Sequence, residues 1–179
     1  MFLRPLWTDV LRSRLIPVKC DTLAGEMIQV HRIAVLVPLS VGVVVSLCAV
    51  MIHLLPLRAT INLIRREKRL GRIGTNPWID MGIFVRVVLY ASLAHLIEVA
   101  LWAVLLIICG EFPDFGTAFY HSAVNYTSLG YGDVIMTPSW RLLGPLEAAN
   151  GVLLFGLTTA MIIALIQRLV EARFTDLKN

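Results

Sequence analysis

The residues with the clearest potential for chemistry are Ser128-Leu129-Gly130-Tyr131-Gly132, a stretch with two glycines spaced two positions apart. Glycine adopts positive φ without steric cost, so this spacing lets successive backbone carbonyls point the same way. Four copies of the stretch around an axis would present rings of carbonyl oxygens, which can replace the hydration shell of a cation. Non-helical backbone is tolerated at membrane depth only where it is buried in protein or lines a water-filled path. The stretch therefore predicts a cation path if the neighbouring elements hold it in a membrane.

The neighbouring elements are apolar enough to do so. Residues 33–57, 79–109 and 142–170 form three apolar segments, each longer than the roughly 20 residues that cross a bilayer as a helix. Between the second and third, Pro113-Asp114 is a helix-start signal and predicts a short helix from Phe115 to Tyr126. The predicted fold class is an all-α integral membrane protein with three transmembrane helices and with a re-entrant pore helix and the glycine-punctuated stretch between the second and third.

Composition excludes most other classes of protein. Hydrophobic residues make up 58% of the 179 residues, charged residues only 16%, and the mean hydropathy is +0.78, well above the soluble norm. The net charge of +4 comes from basic residues that flank apolar segments, so we expect no nucleic-acid partner. The sequence shows no nucleophile–base pair, phosphate loop or metal-ligand spacing, so we expect neither an enzyme nor a bound organic cofactor.

Charge asymmetry predicts the orientation in the membrane. The linker after the first segment is strongly basic, whereas residues 110–140 contain acids and no lysine or arginine. The positive-inside rule then places the linker and the C-terminus in the cytoplasm, and the 110–140 loop and the N-terminus outside the cell membrane. The predicted segments are an N-terminal segment (1–32), a first transmembrane helix (33–57), a basic cytoplasmic linker (58–78), a pore domain (79–170) and a short cytoplasmic tail (171–179).

The N-terminal segment resists this orientation because it carries five basic residues against three acids. Two alternatives stay open at this point. Residues 1–32 lie on the membrane surface, or translation starts at Met27 and leaves a short tail that crosses easily.

The sequence from Thr127 to Asp133, Thr-Ser-Leu-Gly-Tyr-Gly-Asp, closely resembles the selectivity filter of potassium channels. The family has Thr where this chain has Ser128, and usually Val or Ile where it has Leu129. Residues 155–160 look like the pore-lining helix of simple bacterial potassium channels, and residues 79–170 resemble the two-helix ion-channel domain. The first predicted helix, residues 33–57, is additional to that two-helix domain.

The resemblance implies a potassium-selective homotetramer in the lipid bilayer of the plasma membrane, with potassium ions in the filter and no other cofactor. It also implies which residues hold the ions. They are Thr127, Ser128, Leu129, Gly130, Tyr131 and Gly132.

Several residues are predicted to support the filter. The resemblance implies that Tyr131 braces the filter and that Tyr120 or His121 bonds this tyrosine. Asp133 lies just outside the filter. Some family members pair this acid with a second acid, but the matching position here is Val124. Either another group holds Asp133, with Trp140 or Arg141 as candidates, or the outer filter is less clamped.

The third helix contributes two further predictions. Glu147 and Asn150, at i and i+3, are expected to lie behind the filter and stabilise it. Gly151 falls near the hinge glycine of the family. The predicted hinge or gate residues are Gly151, Gly156, Thr159, Ala160 and Ile163.

Ionisable residues inside apolar segments mark functional candidates in membranes. His95 and Glu98 lie at i and i+3 on one face of the second helix. They are interpreted either as a structural hydrogen-bonded pair or as a proton sensor. His53, near the inner end of the first segment, is expected to lie at the membrane interface.

These features favour a potassium channel, with two alternatives. Ser128, Leu129 and the missing acid at Val124 favour a weakly selective cation channel. The small size and the absence of a sensor domain in the sequence favour a non-conducting membrane regulatory subunit.

Overall fold

The computed structural model describes residues 20–176, with side chains described for residues 35–173. The described residues form four α-helices: α1 (Cys20–Arg69), α2 (Pro77–Ile108), α3 (Phe115–Tyr126) and α4 (Leu143–Asp176). Three of them, α1, α2 and α4, are long and apolar enough to cross a membrane. The chain is therefore a multi-pass, all-helical membrane protein, as predicted. Membrane-surface placement or a start at Met27 was considered for residues 1–32, of which residues 1–19 lie outside the described residues.

Compact packing divides the chain at Pro38. In the first unit the described backbone, residues 20–37, is the N-terminal part of α1. The second unit runs from Pro38 onwards and contains the rest of α1 with α2, α3 and α4.

The first transmembrane helix is longer than its apolar segment. The helix was expected over residues 33–57, but α1 extends from Cys20 to Arg69. Arginine and lysine are good helix formers, and basic side chains near a helix C-terminus interact favourably with its dipole. The helix ends only at the turn around Gly71, which has a φ of 64°. Much of the predicted 58–78 linker is therefore helical, and a short loop connects α1 to α2.

The helix ends around the pore loop follow local capping rules. Asn76 caps α2 by accepting a hydrogen bond from the Trp78 backbone N–H at 2.9 Å. Asp114 caps α3 in the same way, accepting from the backbone N–H and the hydroxyl of Thr117 at 2.9 and 2.8 Å. The bounds predicted for α3 and its N-cap are confirmed.

One face of α2 supplies most of the packing surface of the helical bundle. Its buried residues recur at helical spacing from Ile83 to Leu106, and Trp102 is fully buried among them. The C-terminal part of this face, residues 99–106, joins Tyr126 and Leu154 in one cluster. The N-terminal part, residues 83–91, packs with α4 around Leu165. Such a stripe places α2 against the pore helix and α4 while its other side stays apolar and exposed, as suits lipid.

Candidate functional site

The glycine-punctuated stretch leaves α3 through a tight turn. The backbone N–H of Leu129 donates to the Val124 carbonyl at 2.9 Å, and that of Ser128 to Asn125 at 2.8 Å. These bonds satisfy the last carbonyls of α3. The turn therefore fixes the start of the stretch against the C-terminal end of the pore helix.

Positive φ recurs at every second residue of the stretch. The φ angles are 60° at Ser128, 61° at Gly130 and 73° at Gly132. Positive φ at the two glycines was predicted and is confirmed. Ser128 is the one non-glycine with positive φ in the described chain; for an L-residue this region costs about 1–2 kcal/mol. The alternation is the backbone pattern that lets successive carbonyls point one way.

The stretch is exposed in the isolated chain. Leu129 and Tyr131 expose 53% and 67% of their surface, although both are large and apolar or aromatic. The Thr127 hydroxyl turns back to α3 and donates to the Ala123 carbonyl at 2.7 Å. Roles for the six predicted filter residues in holding ions stay predictions.

Tyr120 on α3 holds the outer end of the stretch. Its hydroxyl donates to Asp133 Oδ2 at 2.7 Å, so the partner of Asp133 is neither Trp140 nor Arg141, the two candidates suggested by the sequence. The hydrogen bond lowers the pKa of Asp133 and raises that of Tyr120. A phenol thus takes the place of the acid that is missing at Val124.

His121 supports the chain just beyond the filter. Its Nδ1–H donates to the Val134 carbonyl at 2.9 Å, and its Nε2 accepts from the side-chain amide of Asn125 at 2.8 Å. Burial lowers the pKa of His121, which favours the neutral ring that these two bonds require. His121 and Tyr120 make these other hydrogen bonds within one chain, and the predicted contact of either residue with Tyr131 stays a prediction.

A clamp between two loops, formed by Glu111 and Thr137, was not predicted from the sequence. Glu111 lies before α3, and its two carboxylate oxygens each accept a hydrogen bond at 2.6 Å from Thr137, one from the backbone N–H and one from the hydroxyl. The clamp ties the loop before the pore helix to the loop after the filter. Glu111 and Thr137 lie 26 positions apart and belong to no common short motif, so the sequence gives no signal that they meet.

Glu147 and Asn150 have different surroundings. Glu147 is fully buried, and Ser122 and Asn125 of the pore helix lie beside its carboxylate. Asn150 instead accepts from the Trp102 indole at 3.4 Å. Glu147 therefore lies behind the pore helix, whereas Asn150 joins α4 to α2.

Gly151 allows α4 to approach the pore helix. A Cβ built at Gly151 would lie 2.0 Å from the backbone oxygen of Tyr126, whereas one at Gly156 would meet nothing within 4 Å. α4 is continuous through both glycines. Thr159, Ala160 and Ile163 are exposed. The hinge or gate role of these five residues stays a prediction, but Gly151 has a packing role as well.

A buried polar cluster joins α1, α2, the end of α3 and α4. The predicted contact of His95 with Glu98 is confirmed, with Nδ1 at 3.1 Å from Oε2. The expected interfacial position of His53 is wrong. This residue is 1% exposed, and its Nδ1 lies 2.9 Å from Glu98 Oε1. The Tyr126 hydroxyl donates to Glu98 Oε2, and the Thr158 hydroxyl contacts Nε2 of both rings, at 3.1 and 2.9 Å. We call these five residues the polar cluster.

Sequence reasoning missed His53 because it lies 45 positions from Glu98. The available signal was an ionisable residue inside an apolar segment, which in a membrane requires a partner. Only the packing of α1 against α2 identifies that partner.

One comparison with known proteins gives a match. Residues 94–168 match the family model described as an ion channel, the two-helix ion channel domain. No curated protein and no solved structure matches the chain. The matched residues include the second half of α2, the pore helix, the glycine-punctuated stretch and most of α4. The matched segment of this multi-pass membrane protein is therefore similar to an ion channel domain.

Proposed function

We propose that the chain is one subunit of a potassium-selective channel and that four copies enclose the pore. The observation that carries the proposal is the alternation of positive φ at Ser128, Gly130 and Gly132. It supports a row of carbonyls turned to one side, which four-fold repetition would convert into rings of potassium ligands.

The position of α3 supports cation binding by the same stretch. α3 ends at Tyr126, directly before the filter residues. A helix carries partial negative charge at its C-terminus, and the filter begins at that end. Four such termini around one axis would favour a cation and disfavour an anion.

The exposure of the filter supports assembly. Leu129 and Tyr131 are about half or more exposed in one chain, and a single filter strand leaves its carbonyls unpaired. Irregular backbone is not tolerated in contact with lipid. A closed ring of subunits covers these groups, and four-fold closure is what the resemblance to potassium channels implies.

Potassium flux into liposomes that contain the purified protein tests the proposal, with rubidium and sodium as comparison ions. We expect potassium and rubidium to pass and sodium to be excluded. Comparable sodium flux would establish the weakly selective alternative. An absence of all flux from assembled protein would favour the non-conducting subunit.

Substitutions in the filter test whether this stretch carries the flux. Gly130→Ala places a Cβ at a φ of 61° with no atom of the chain within 4 Å of it, so its effect comes from backbone strain of about 1–2 kcal/mol per subunit. We expect loss of flux with assembly retained. Ser128→Ala removes one ring of hydroxyls and should be milder. Full conduction by Gly130→Ala would show that this stretch is not the filter.

A further inference from the structure

The polar cluster contains a set of metal-ligand atoms that ion conduction does not use. His53, His95 and Glu98 offer one imidazole nitrogen each and one carboxylate oxygen, and these atoms all lie within 4.8 Å of one another. We propose that these three residues bind a divalent transition metal ion of the zinc type between α1 and α2.

The two rings present the same nitrogen to the carboxylate. Nδ1 of His53 lies 2.9 Å from Glu98 Oε1, and Nδ1 of His95 lies 3.1 Å from Oε2. Ligands of one tetrahedral zinc ion, each at about 2.0–2.2 Å from the metal, lie roughly 3.3–3.6 Å apart. The two nitrogen–oxygen distances are shorter than this and the whole set lies within 4.8 Å, so the side chains have to rearrange locally around the ion.

The other nitrogen of each ring has the contact expected behind a metal ligand. Nε2 of His53 and of His95 lie 3.1 and 2.9 Å from the Thr158 hydroxyl oxygen. Metal-bound histidines usually donate their second N–H to such an acceptor, which fixes the tautomer. A hydroxyl oxygen has two lone pairs and accepts both N–H groups, which leaves both Nδ1 atoms as lone pairs facing Glu98.

Proton counting shows why a cation suits the cluster. With Glu98 ionised and both rings neutral, two Nδ1–H groups can donate to the carboxylate, but then both Nε2 atoms need a proton from Thr158, which has one. If both rings carry Nε2–H instead, the Nδ1 lone pairs face the carboxylate with no proton between them. In the mixed arrangement, Thr158 donates to one ring and accepts from the other, and one Nδ1 lone pair still faces the carboxylate. A divalent ion would bind such a lone pair together with the carboxylate, and one additional proton is the competing solution.

The ligand types select the class of ion. Two imidazoles and a carboxylate suit zinc and its first-row neighbours, whereas potassium prefers an all-oxygen shell. The Tyr126 hydroxyl contacts His95 Nδ1 at 2.9 Å and also Glu98, so it can complete or orient the shell. The site is therefore chemically different from the proposed potassium ligands.

Occupancy would connect four helices. The ligands come from α1 and α2, Thr158 from α4, and Tyr126 is the last residue of α3, next to Thr127. A bound ion would fix these helices at the base of the filter. We expect zinc to raise the melting temperature of the purified protein.

Isothermal titration of the full chain tests the site. Protein purified in detergent is stripped with a chelator and titrated with zinc, and metal content is measured by mass spectrometry. We expect one zinc ion per chain. His53→Gln and His95→Gln should abolish binding, and Thr158→Val should weaken it about 10–100-fold, as for other residues behind metal ligands. His121→Gln, the matched control outside the cluster, should bind as the parent does.

X-ray absorption of the zinc-loaded parent protein keeps the test valid if the variants do not fold. We expect two imidazole nitrogens and at least one oxygen at about 2.0–2.2 Å. No zinc binding, a shell without histidine, or undiminished binding in both histidine variants would overturn the proposal and leave an additional proton to complete the cluster. The measurements need no ion flux, so their outcome is independent of the proposed function.

Discussion

Asp133 follows the glycine-punctuated stretch and is held there by a phenol. Tyr120 donates to it from α3 at 2.7 Å, and the backbone N–H of Val134 donates to the other oxygen at 3.1 Å. Both bonds stabilise the charged carboxylate. The ionised form of Asp133 is therefore part of the geometry at this mouth of the proposed pore.

Loss of the Tyr120 hydroxyl should change the acid response of the channel. The hydrogen bond from Tyr120 is the largest cause of the lowered pKa of Asp133. A lowered pKa means that the stabilisation by this contact is present above the ordinary aspartate range and is lost as pH falls through the lowered value. Tyr120→Phe should therefore move the acid limb of the flux–pH profile to higher pH.

Flux measured during acidification on the filter side checks this prediction. Tyr90→Phe is the matched control, because Tyr90 lies on α2 among apolar residues. An unchanged acid limb in Tyr120→Phe would show that Asp133 does not depend on the phenol.

α4 approaches the last residue of α3 closely at Gly151. A Cβ at Gly151 would lie 2.0 Å from the Tyr126 oxygen and 2.9 Å from its carbonyl carbon. Backbone atoms cannot rotate away as a flexible side chain can, so one of the two helices has to move. The spacing of α4 from the base of the filter therefore depends on this glycine.

Gly151→Ala should destabilise the protein, and Gly156→Ala should not. Overpacking typically costs about 1–3 kcal/mol, whereas alanine at Gly156 meets no atom within 4 Å and gains about 1 kcal/mol of helix propensity. Melting temperatures in detergent measure both effects. Equal melting temperatures for the two variants would contradict the close contact at Gly151.

Assembly into the proposed tetramer would cover the exposed residues of the glycine-punctuated stretch. A tetramer would place four filter strands around one axis and shield residues such as Tyr131, which is 67% exposed in one chain. Native mass spectrometry of the protein released from detergent should give four chains. Monomers or dimers as the sole species would contradict the pore arrangement.

Orientation in the membrane is the second property of the whole molecule. The basic end of α1 and the acidic loop between α2 and α4 lie at opposite ends of α2, and the positive-inside rule predicts that the basic end faces the cytoplasm. Asn62 and Ser139 are exposed positions at these two ends. In a background without the native cysteines, an impermeant thiol reagent on intact cells should label Ser139→Cys and not Asn62→Cys. The opposite labelling pattern would invert the topology.

The sequence by itself determined the elements and the local backbone. Apolar length specifies three spanning helices, Pro113-Asp114 specifies the start of α3, and the spacing of Gly130 and Gly132 specifies where positive φ occurs. Each of these depends on a residue and its near neighbours in the chain. The end of α1 was misjudged because apolar length does not measure helix length when the following basic residues are themselves good helix formers.

Only the tertiary structure decided which distant side chains meet. Tyr120 with Asp133, Glu111 with Thr137, and His53 with Glu98 are separated by 13, 26 and 45 positions. No periodicity links such pairs, because their contacts depend on how the helices pack and where the loops return. The buried position of His53 follows from the same cause, since an isolated helix shows its apolar length but not which of its faces another helix will cover.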